Sequence, residues 1–214
     1  MCLGFANAFE QSIITAEKTN NLMTKSRLEA FSDGVLAIII TIMVLELKIP
    51  HGADFKDLLQ IWPVFSSYIV SFILIAIYWN NHHHLLHTIR EVRSSIMWAN
   101  MHLLFWLSLI PFATGWMGEN HFQPLTVAMY AFIGNMCGVA YYILLITLRN
   151  CNNENTALIL VLNKQSRKGL ASLFLYTAAL IFAFIYTPIA VGIIILIALM
   201  WLIPDRNIES ALKH

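Results

Sequence analysis

The stretch RLEAFSDGVLAIIITIMVLEL, residues 27–47, combines a long apolar run with charged residues at its start. A helix needs about 20 mostly apolar residues to cross a bilayer core about 30 Å thick, and residues 30–47 approach that length. Arg27, Glu29 and Asp33 lie at the beginning of this run. A charge at the centre of a membrane helix costs about 2.5 to 3.5 kcal/mol, and less toward its ends. Asp33 is therefore predicted to face protein and to have a polar partner.

The composition of the whole chain is that of an integral membrane protein. Hydrophobic residues make up 58% of the 214 residues and charged residues only 12%, with a mean hydropathy of +0.68. An average soluble domain carries about 25% charged residues. The net charge of +1 provides no basic excess for a nucleic-acid partner. The three cysteines, Cys2, Cys137 and Cys151, form no CxxC pair, so neither a disulfide framework nor a thiolate metal site is predicted.

Six apolar segments are predicted to be transmembrane helices, which gives an all-α membrane domain over residues 27–206. The segments are residues 30–47, 62–86, 96–116, 125–148, 170–186 and 188–203. Pro188 separates the last two, and Pro111 is able to break the third, because proline lacks the N–H that a continuing helix requires. Residues 1–26 are predicted to be a cytosolic lead-in and residues 207–214 a cytosolic tail. No GxGxxG, Walker or GxSxG motif occurs, so the chain is not predicted to be an enzyme or to bind a cofactor.

The positions of lysine and arginine predict the orientation. With six crossings, 11 of the 13 Lys and Arg residues fall on one side, and only Lys48 and Lys56 fall on the other. Cytosolic loops of membrane proteins carry the excess of Lys and Arg. Both termini are therefore predicted to be cytosolic.

The first helix has two different faces. Gly34 and three larger residues lie within about 60° of Ile38 when each residue advances by about 100° around the helix axis: Thr41, Ile42 and Leu45. Together with Ile38 they form an aliphatic stripe that carries one hydroxyl. Asp33 lies about 140° away, on another face. On its residues alone, the stripe is interpreted as an ordinary lipid-contacting or helix-packing surface, and composition does not identify the wall of a pore.

The end of the second segment, YWNNHHHLLHTIR at residues 78–90, is predicted to lie at the same depth as Asp33. A bond from Trp79 or from a histidine would satisfy the carboxylate. His83 and His87 are four residues apart, which suits two ligands of one metal ion. A catalytic metal usually has three protein ligands, and only the isolated His102 and His121 occur further along. No metal site is therefore predicted.

Two other roles remain open for the histidines. Imidazole titrates near neutral pH, so Asp33 and a histidine could relay protons, as in a proton-coupled transporter that uses Asp33 and His82–His87. The other role is a static polar network that joins the first two helices. His82, His83 and His84 point about 100° apart around their helix, which argues against one shared role. The static network is favoured.

Small and polar residues mark further helix contacts. Gly134 and Gly138 have the small-xxx-small spacing that permits close approach of two helices, within one subunit or between subunits. Asn100 in the third segment is expected to hydrogen-bond across helices, because an amide in a bilayer needs a partner.

Four of these stretches resemble one known family. Arg27, Phe31, Ser32 and Asp33 form the pattern RxxxFSD, and the resemblance continues through three later motifs: YWNNHHHLL (78–86), WANMHLLFWLSLIPFATGW (98–116) and LIPDRNIE (202–209). On these motifs the chain is identified as a member of the bacterial branch of the lysosomal-type transmembrane potassium channel family. The resemblance covers almost everything from residue 27 to residue 209.

The resemblance implies a homotetramer of six-helix subunits in which the first helix of each copy lines a central potassium-conducting pore. It implies that Ile38 forms the narrowest point, that Ile42 and Leu45 lie further outward, and that Thr41 is the neighbouring hydroxyl that contributes to selectivity. The remaining motif residues would brace the cytosolic end: Arg27, Phe31, Ser32 and Asp33 on the first helix, and Trp79, His82, His83 and His84 on the second.

A ring of isoleucine side chains offers an ion no oxygen ligands. Such a ring blocks ions by excluding water, and it conducts only when it widens enough for water to accompany the ion. The expected function is a passive cation channel with K⁺ as the permeant ion and a modest preference for K⁺ over Na⁺.

Overall fold

The computed structural model describes residues 24–89, 91–151 and 156–202, and this part of the chain is helical with no β-strand. The all-α prediction is confirmed. The helices are α1 Lys25–Leu45, α2 Phe55–Gln60, α3 Trp62–His87, α4 Ser94–Ser108, α5 Ile110–Glu119, α6 Pro124–Cys151, α7 Thr156–Ile185 and α8 Thr187–Leu202. Residues 1–23 and 203–214, which hold most of the predicted lead-in and the predicted tail, lie outside the described residues.

Five stretches of the described chain are long and apolar enough to cross a membrane: Lys25–Leu45, Trp62–His87, Ser94–Glu119, Pro124–Cys151 and Leu162–Ile185. The sixth predicted segment forms α8, which has 16 residues. At 1.5 Å per residue, α8 is about 24 Å long, which is shorter than a bilayer core of about 30 Å. The chain is a multi-pass helical membrane protein, and its sixth crossing stays a prediction.

The helix α7 begins at Thr156, earlier than the predicted start at residue 170. The prediction relied on apolar residues alone, and the polar sequence NKQSRK at residues 163–168 ended the apolar run. Asn, Lys, Gln, Ser and Arg each cost a helix interior less than about 1 kcal/mol, whereas proline costs about 3 kcal/mol. The helix therefore continues through this polar stretch.

Proline divides the third membrane span into α4 and α5. The helix α4 ends at Ser108, and the N–H of Leu109 bonds to the carbonyl of Trp106 at 3.2 Å, in a tightened turn. Pro111 occupies the start of α5, where the missing N–H of proline costs no helical hydrogen bond. The break that Pro111 made possible is therefore present.

The helix α6 lies at the centre of the subunit, in contact with α4, α5, α7 and α8. The helix α1 packs on α3, α4 and α5 through one face only. Five residues of α1 are buried, at the spacing of a single helical stripe: Leu28, Ser32, Leu36, Ile39 and Met43. The opposite face of α1 has no covering helix within the described subunit.

The glycines of α6 allow close contact with α7. A Cβ atom on Gly134 would lie 2.6 Å from Cε1 of Tyr176, and a Cβ atom on Gly138 would lie 2.9 Å from Cδ2 of Leu173. Both distances are too short for a real side chain. The predicted close approach is confirmed, and it joins two helices of the same subunit.

Replacing Gly134 by alanine is expected to destabilise the protein by about 1–3 kcal/mol, because the buried ring of Tyr176 must shift. Gly192→Ala in α8 is the matched control, since nothing lies within 4 Å of its added Cβ. That control should be neutral or slightly stabilising, because alanine favours a helix over glycine. The midpoint of thermal unfolding in detergent measures both changes, and equal midpoints for the two variants would contradict the contact.

Candidate functional site on the first helix

The aliphatic stripe lies on the uncovered face of α1. Ile38 is 58% exposed, Ile42 is 42% exposed and Leu45 is 79% exposed. Thr41 is also exposed. In contrast, Leu36 is fully buried on the opposite face. All four stripe residues therefore share one open surface of the subunit.

Thr41 is the hydroxyl of this surface. Its Oγ1 donates a hydrogen bond to the backbone carbonyl of Ile38 at a distance of 2.8 Å. A hydroxyl has one proton and two lone pairs, and here the helix uses the proton. The oxygen of Thr41 is thus left as an acceptor on an otherwise aliphatic stripe, and an acceptor oxygen is what a cation requires.

A buried hydrogen-bond relay fixes the opposite face of α1. His82 of α3 donates from Nε2 to Oδ1 of Asn100 at 2.6 Å, and Asn100 of α4 donates from Nδ2 to Oγ of Ser32 at 2.9 Å. Ser32 donates in turn to the carbonyl of Leu28 at 2.8 Å. All three polar side chains are fully buried. Because a buried polar group without a partner is costly, this relay fixes the rotation of α1 against α3 and α4.

Asp33 lies beside the relay and has a partner of its own. Nε1 of Trp79 donates to Oδ1 of Asp33 at 3.0 Å. The indole of Trp79 stacks on the ring of His83, with 5.9 Å between ring centroids. The carboxylate therefore connects α1 to α3 through an indole and not through a histidine.

The last two turns of α3 hold a histidine pair next to the start of α1. Nε2 of His83 and Nε2 of His87 are 3.0 Å apart. Nδ1 of His87 lies 3.9 Å from Oε1 of Glu29. Lys25 donates from Nζ to the carbonyl of His87 at 2.7 Å and lies 3.9 Å from the same Glu29 oxygen. This cluster forms a second connection between α1 and α3.

The other end of α1 is acidic. Lys48 Nζ lies 2.6 Å from Oε1 of Glu119, and this hydrogen-bonded carboxylate raises the pKa of Lys48 above its ordinary value. An open cavity of about 390 Å³ lies between α1 and α5, and Ile42, Glu46 and Glu119 are among the residues that line it. Ile42 of the stripe thus lies beside a cavity that is lined by two carboxylates.

Comparisons with known proteins identify the family of this chain. The family model "Endosomal/lysosomal potassium channel TMEM175" matches residues 27–111, which include α1, α3 and α4. A potassium channel of Chryseobacterium sp. (strain P1-3) is 51% identical over 192 residues, which are 90% of this chain and 100% of that protein. The chain belongs to the TMEM175 family. The resemblance inferred from RxxxFSD and its three companion motifs is confirmed.

Two further matches of this TMEM175-family chain, one to a solved structure and one to a sequence, come from Chamaesiphon minutus. The crystal structure of a lysosomal potassium-selective channel TMEM175 homolog from that organism aligns with a TM-score of 0.71 at 26% identity, over 83% of this chain and 95% of that chain. A potassium channel of the strain ATCC 27169 / PCC 6605 is 28% identical over 190 residues, which are 81% of this chain and 91% of that protein. The similarity therefore extends over most of each protein.

The structure brings most of the motif residues of this TMEM175-family chain together, but not all. The buried relay contains Ser32 and His82. A separate hydrogen bond joins Trp79 to Asp33. The ring of His84 lies 5.7 Å from the ring of His83. Two others lie on the exposed face of α1, within about 20° of Ile38 around the helix: Arg27 and Phe31. Arg27 and Phe31 therefore lie on the same face of α1 as the stripe, and they are not part of the buried relay.

Sequence reasoning missed the central place of Asn100 in the relay. An isolated amide in a membrane segment predicts a bond across helices, but it does not say with which residue. Glu29 and Lys25 were also outside the predicted network. Their positions one and two turns before Asp33 were the available signal, because residues four apart share one face of a helix.

Replacing Asn100 by leucine is expected to lower the stability of the protein by about 1–3 kcal/mol, because His82 then has a buried N–H without an acceptor. Asn135→Leu is the matched control, since that amide bonds only the exposed Thr177 hydroxyl at 3.1 Å. The control should change stability less. Thermal unfolding of both purified variants measures the difference, and a larger loss for Asn135→Leu would contradict the importance of the relay.

Proposed function

We propose that this chain is a passive potassium channel whose conduction path is lined by the aliphatic stripe of α1. The matching family model and the bacterial relatives are named as potassium channels and not as enzymes. The observation that supports the path is the exposure of Ile38, Thr41, Ile42 and Leu45 on a face that no helix of the described subunit covers. K⁺ is the permeant ion, and the channel has no cofactor.

The stripe requires other copies of the chain to enclose a path. One α1 helix forms only one wall of a path, and the ion path of a channel must be enclosed on all sides, so the channel function of the relatives requires further copies. We propose a homotetramer in which four α1 helices surround a central axis. Each copy then contributes one Ile38 and one Thr41 to rings around that axis.

The Ile38 ring closes the path, and the Thr41 ring contributes to ion preference. Four Ile38 side chains form a hydrophobic constriction that excludes water, and the pore opens when they move apart. Ile42 and Leu45 continue this lining outward. The Thr41 oxygens supply acceptors to a partly dehydrated ion, since their protons are committed to Ile38 carbonyls. One hydroxyl layer gives a modest preference for K⁺ over Na⁺.

The polar connections brace the end of α1 that begins at Lys25. The relay through Ser32 and the bond between Asp33 and Trp79 hold this end against α3 and α4. The proton-coupled alternative gains no support from these contacts, because Asp33 bonds an indole. We place this braced end and both termini in the cytosol, because 11 of the 13 Lys and Arg residues fall on that side. We also place the chain in a bacterial plasma membrane.

Ile38→Asn is expected to raise passive K⁺ flux into liposomes severalfold, because an amide ring holds water where isoleucine excludes it. Val44→Asn is the matched control. Val44 is also exposed, at 46%, but it lies about 120° from Ile38 around α1. The control should leave the flux near the wild-type value. Flux that needs a proton gradient, or that ignores Ile38→Asn, would contradict the proposed pore.

Asp33→Ala is expected to impair assembly or gating more than ion preference, because Asp33 faces Trp79 and not the stripe. Size-exclusion chromatography reports the assembly, and reversal potentials under K⁺ and Na⁺ gradients report the preference. Trp79→Phe, which removes the same hydrogen bond from the other side, should give the same result. Intact tetramers with normal gating and an altered ion preference would disprove the bracing role.

A further inference from the structure

The HxxxH spacing of His83 and His87 remains unexplained by the pore. Their Nε2 atoms approach to 3.0 Å, and the two rings are nearly perpendicular, at 84°. Two neutral imidazoles can share one proton at this distance. They can also direct two lone pairs at one point, if both rings carry their proton on Nδ1.

The spacing of the two nitrogens suits a particular coordination geometry. With metal–nitrogen bonds of about 2.1 Å, a separation of 3.0 Å corresponds to an angle of about 90° at the metal. That is the angle between neighbouring ligands in square-planar and octahedral complexes, which Cu²⁺ and Ni²⁺ prefer in nitrogen and oxygen surroundings. Tetrahedral Zn²⁺ would need the two nitrogens about 3.4 Å apart.

Glu29 has the position of an outer-shell partner. Its Oε1 is buried and has no hydrogen bond among the described residues, and it lies 3.9 Å from Nδ1 of His87. A carboxylate at Nδ1 keeps the proton on that nitrogen and leaves Nε2 as a ligand, which is the usual arrangement of metal-binding histidines. A small rotation of either side chain closes this distance to a hydrogen bond.

We propose that His83 and His87 form a binding site for a divalent transition-metal ion of the Ni²⁺ or Cu²⁺ type, with Glu29 orienting His87. Water completes the coordination, since no third His, Cys, Asp or Glu joins the pair within the described residues. The side chain of His87 is 44% exposed, so the ion reaches the site from solvent. Both Nε2 atoms must be unprotonated to bind the ion, so a proton on either Nε2 moves to Nδ1 of the same ring or leaves to solvent.

The site would couple metal binding to the helix that carries the aliphatic stripe. Both ligands lie in the last two turns of α3, and Glu29 lies on α1. Lys25 of α1 also bonds the carbonyl of His87. A bound ion therefore stabilises the contact between α3 and the start of α1.

The test is isothermal titration of Ni²⁺ into the detergent-solubilised full-length protein, purified without a histidine tag. The wild type should bind one ion per chain, and H83Q or H87Q should weaken binding at least tenfold. H84Q is the matched control, because His84 is adjacent and lies outside the pair, and it should bind as the wild type does. Glu29→Gln should weaken binding about tenfold.

Wild-type affinity in the double variant H83Q/H87Q, or no binding by the wild type, would overturn the site. Unchanged affinity in Glu29→Gln would overturn the role of the carboxylate. Electron paramagnetic resonance of the wild type with one equivalent of Cu²⁺ is a second test, and it does not depend on the folding of any variant. It should show coupling to two imidazole nitrogens, and coupling to one or none would overturn the pair. Potassium flux is measured separately, so these outcomes do not depend on the proposed pore.

Discussion

The hydrogen-bond relay from His82 through Asn100 to Ser32 is the constraint on which the rest of the site depends. It lies in a fully buried position between three helices. A rotation of α1 about its axis would break the relay and leave polar groups without partners in an apolar interior, at a cost of several kcal/mol. The relay thus sets the rotation of α1. Through that rotation it decides which residues of α1 remain uncovered.

The two faces of α1 are consequences of one rotation. With Ser32 and Leu36 turned inward, the helical period turns Ile38, Ile42 and Leu45 outward. The aliphatic stripe therefore owes its position to polar contacts on the other side of the same helix. The contacts of Asp33 with Trp79 and of Glu29 and Lys25 with the His87 turn act at the same end of α1. A change at this end, including a bound metal ion, can reach the stripe because a helix rotates as a rigid element.

The sequence predicts the fold class and the two faces of α1 from hydrophobic period and the cost of a buried charge. It predicts the break at Pro111 and the contact at Gly134 from backbone chemistry. It does not predict that α7 begins at Thr156. An apolar run shows which part of a helix can lie in the membrane, but it does not show where the helix begins. It also does not predict that Asn100 joins Ser32 to His82, or that two histidine nitrogens lie 3.0 Å apart. Those facts depend on which helices become neighbours, and tertiary packing alone decides that.

The proposed pore requires the stripe of α1 to face an aqueous ion path. Ile42→Cys and Val44→Cys place a thiol on the same helix at similar depth, with the two positions about 160° apart around the helix axis. A cationic, membrane-impermeant methanethiosulfonate reagent reacts only with thiols that water reaches. We expect the reagent to reduce K⁺ flux through Ile42→Cys and to leave Val44→Cys and the wild type unchanged. Modification of Val44→Cys with loss of flux, while Ile42→Cys stays unaffected, would contradict this orientation of α1.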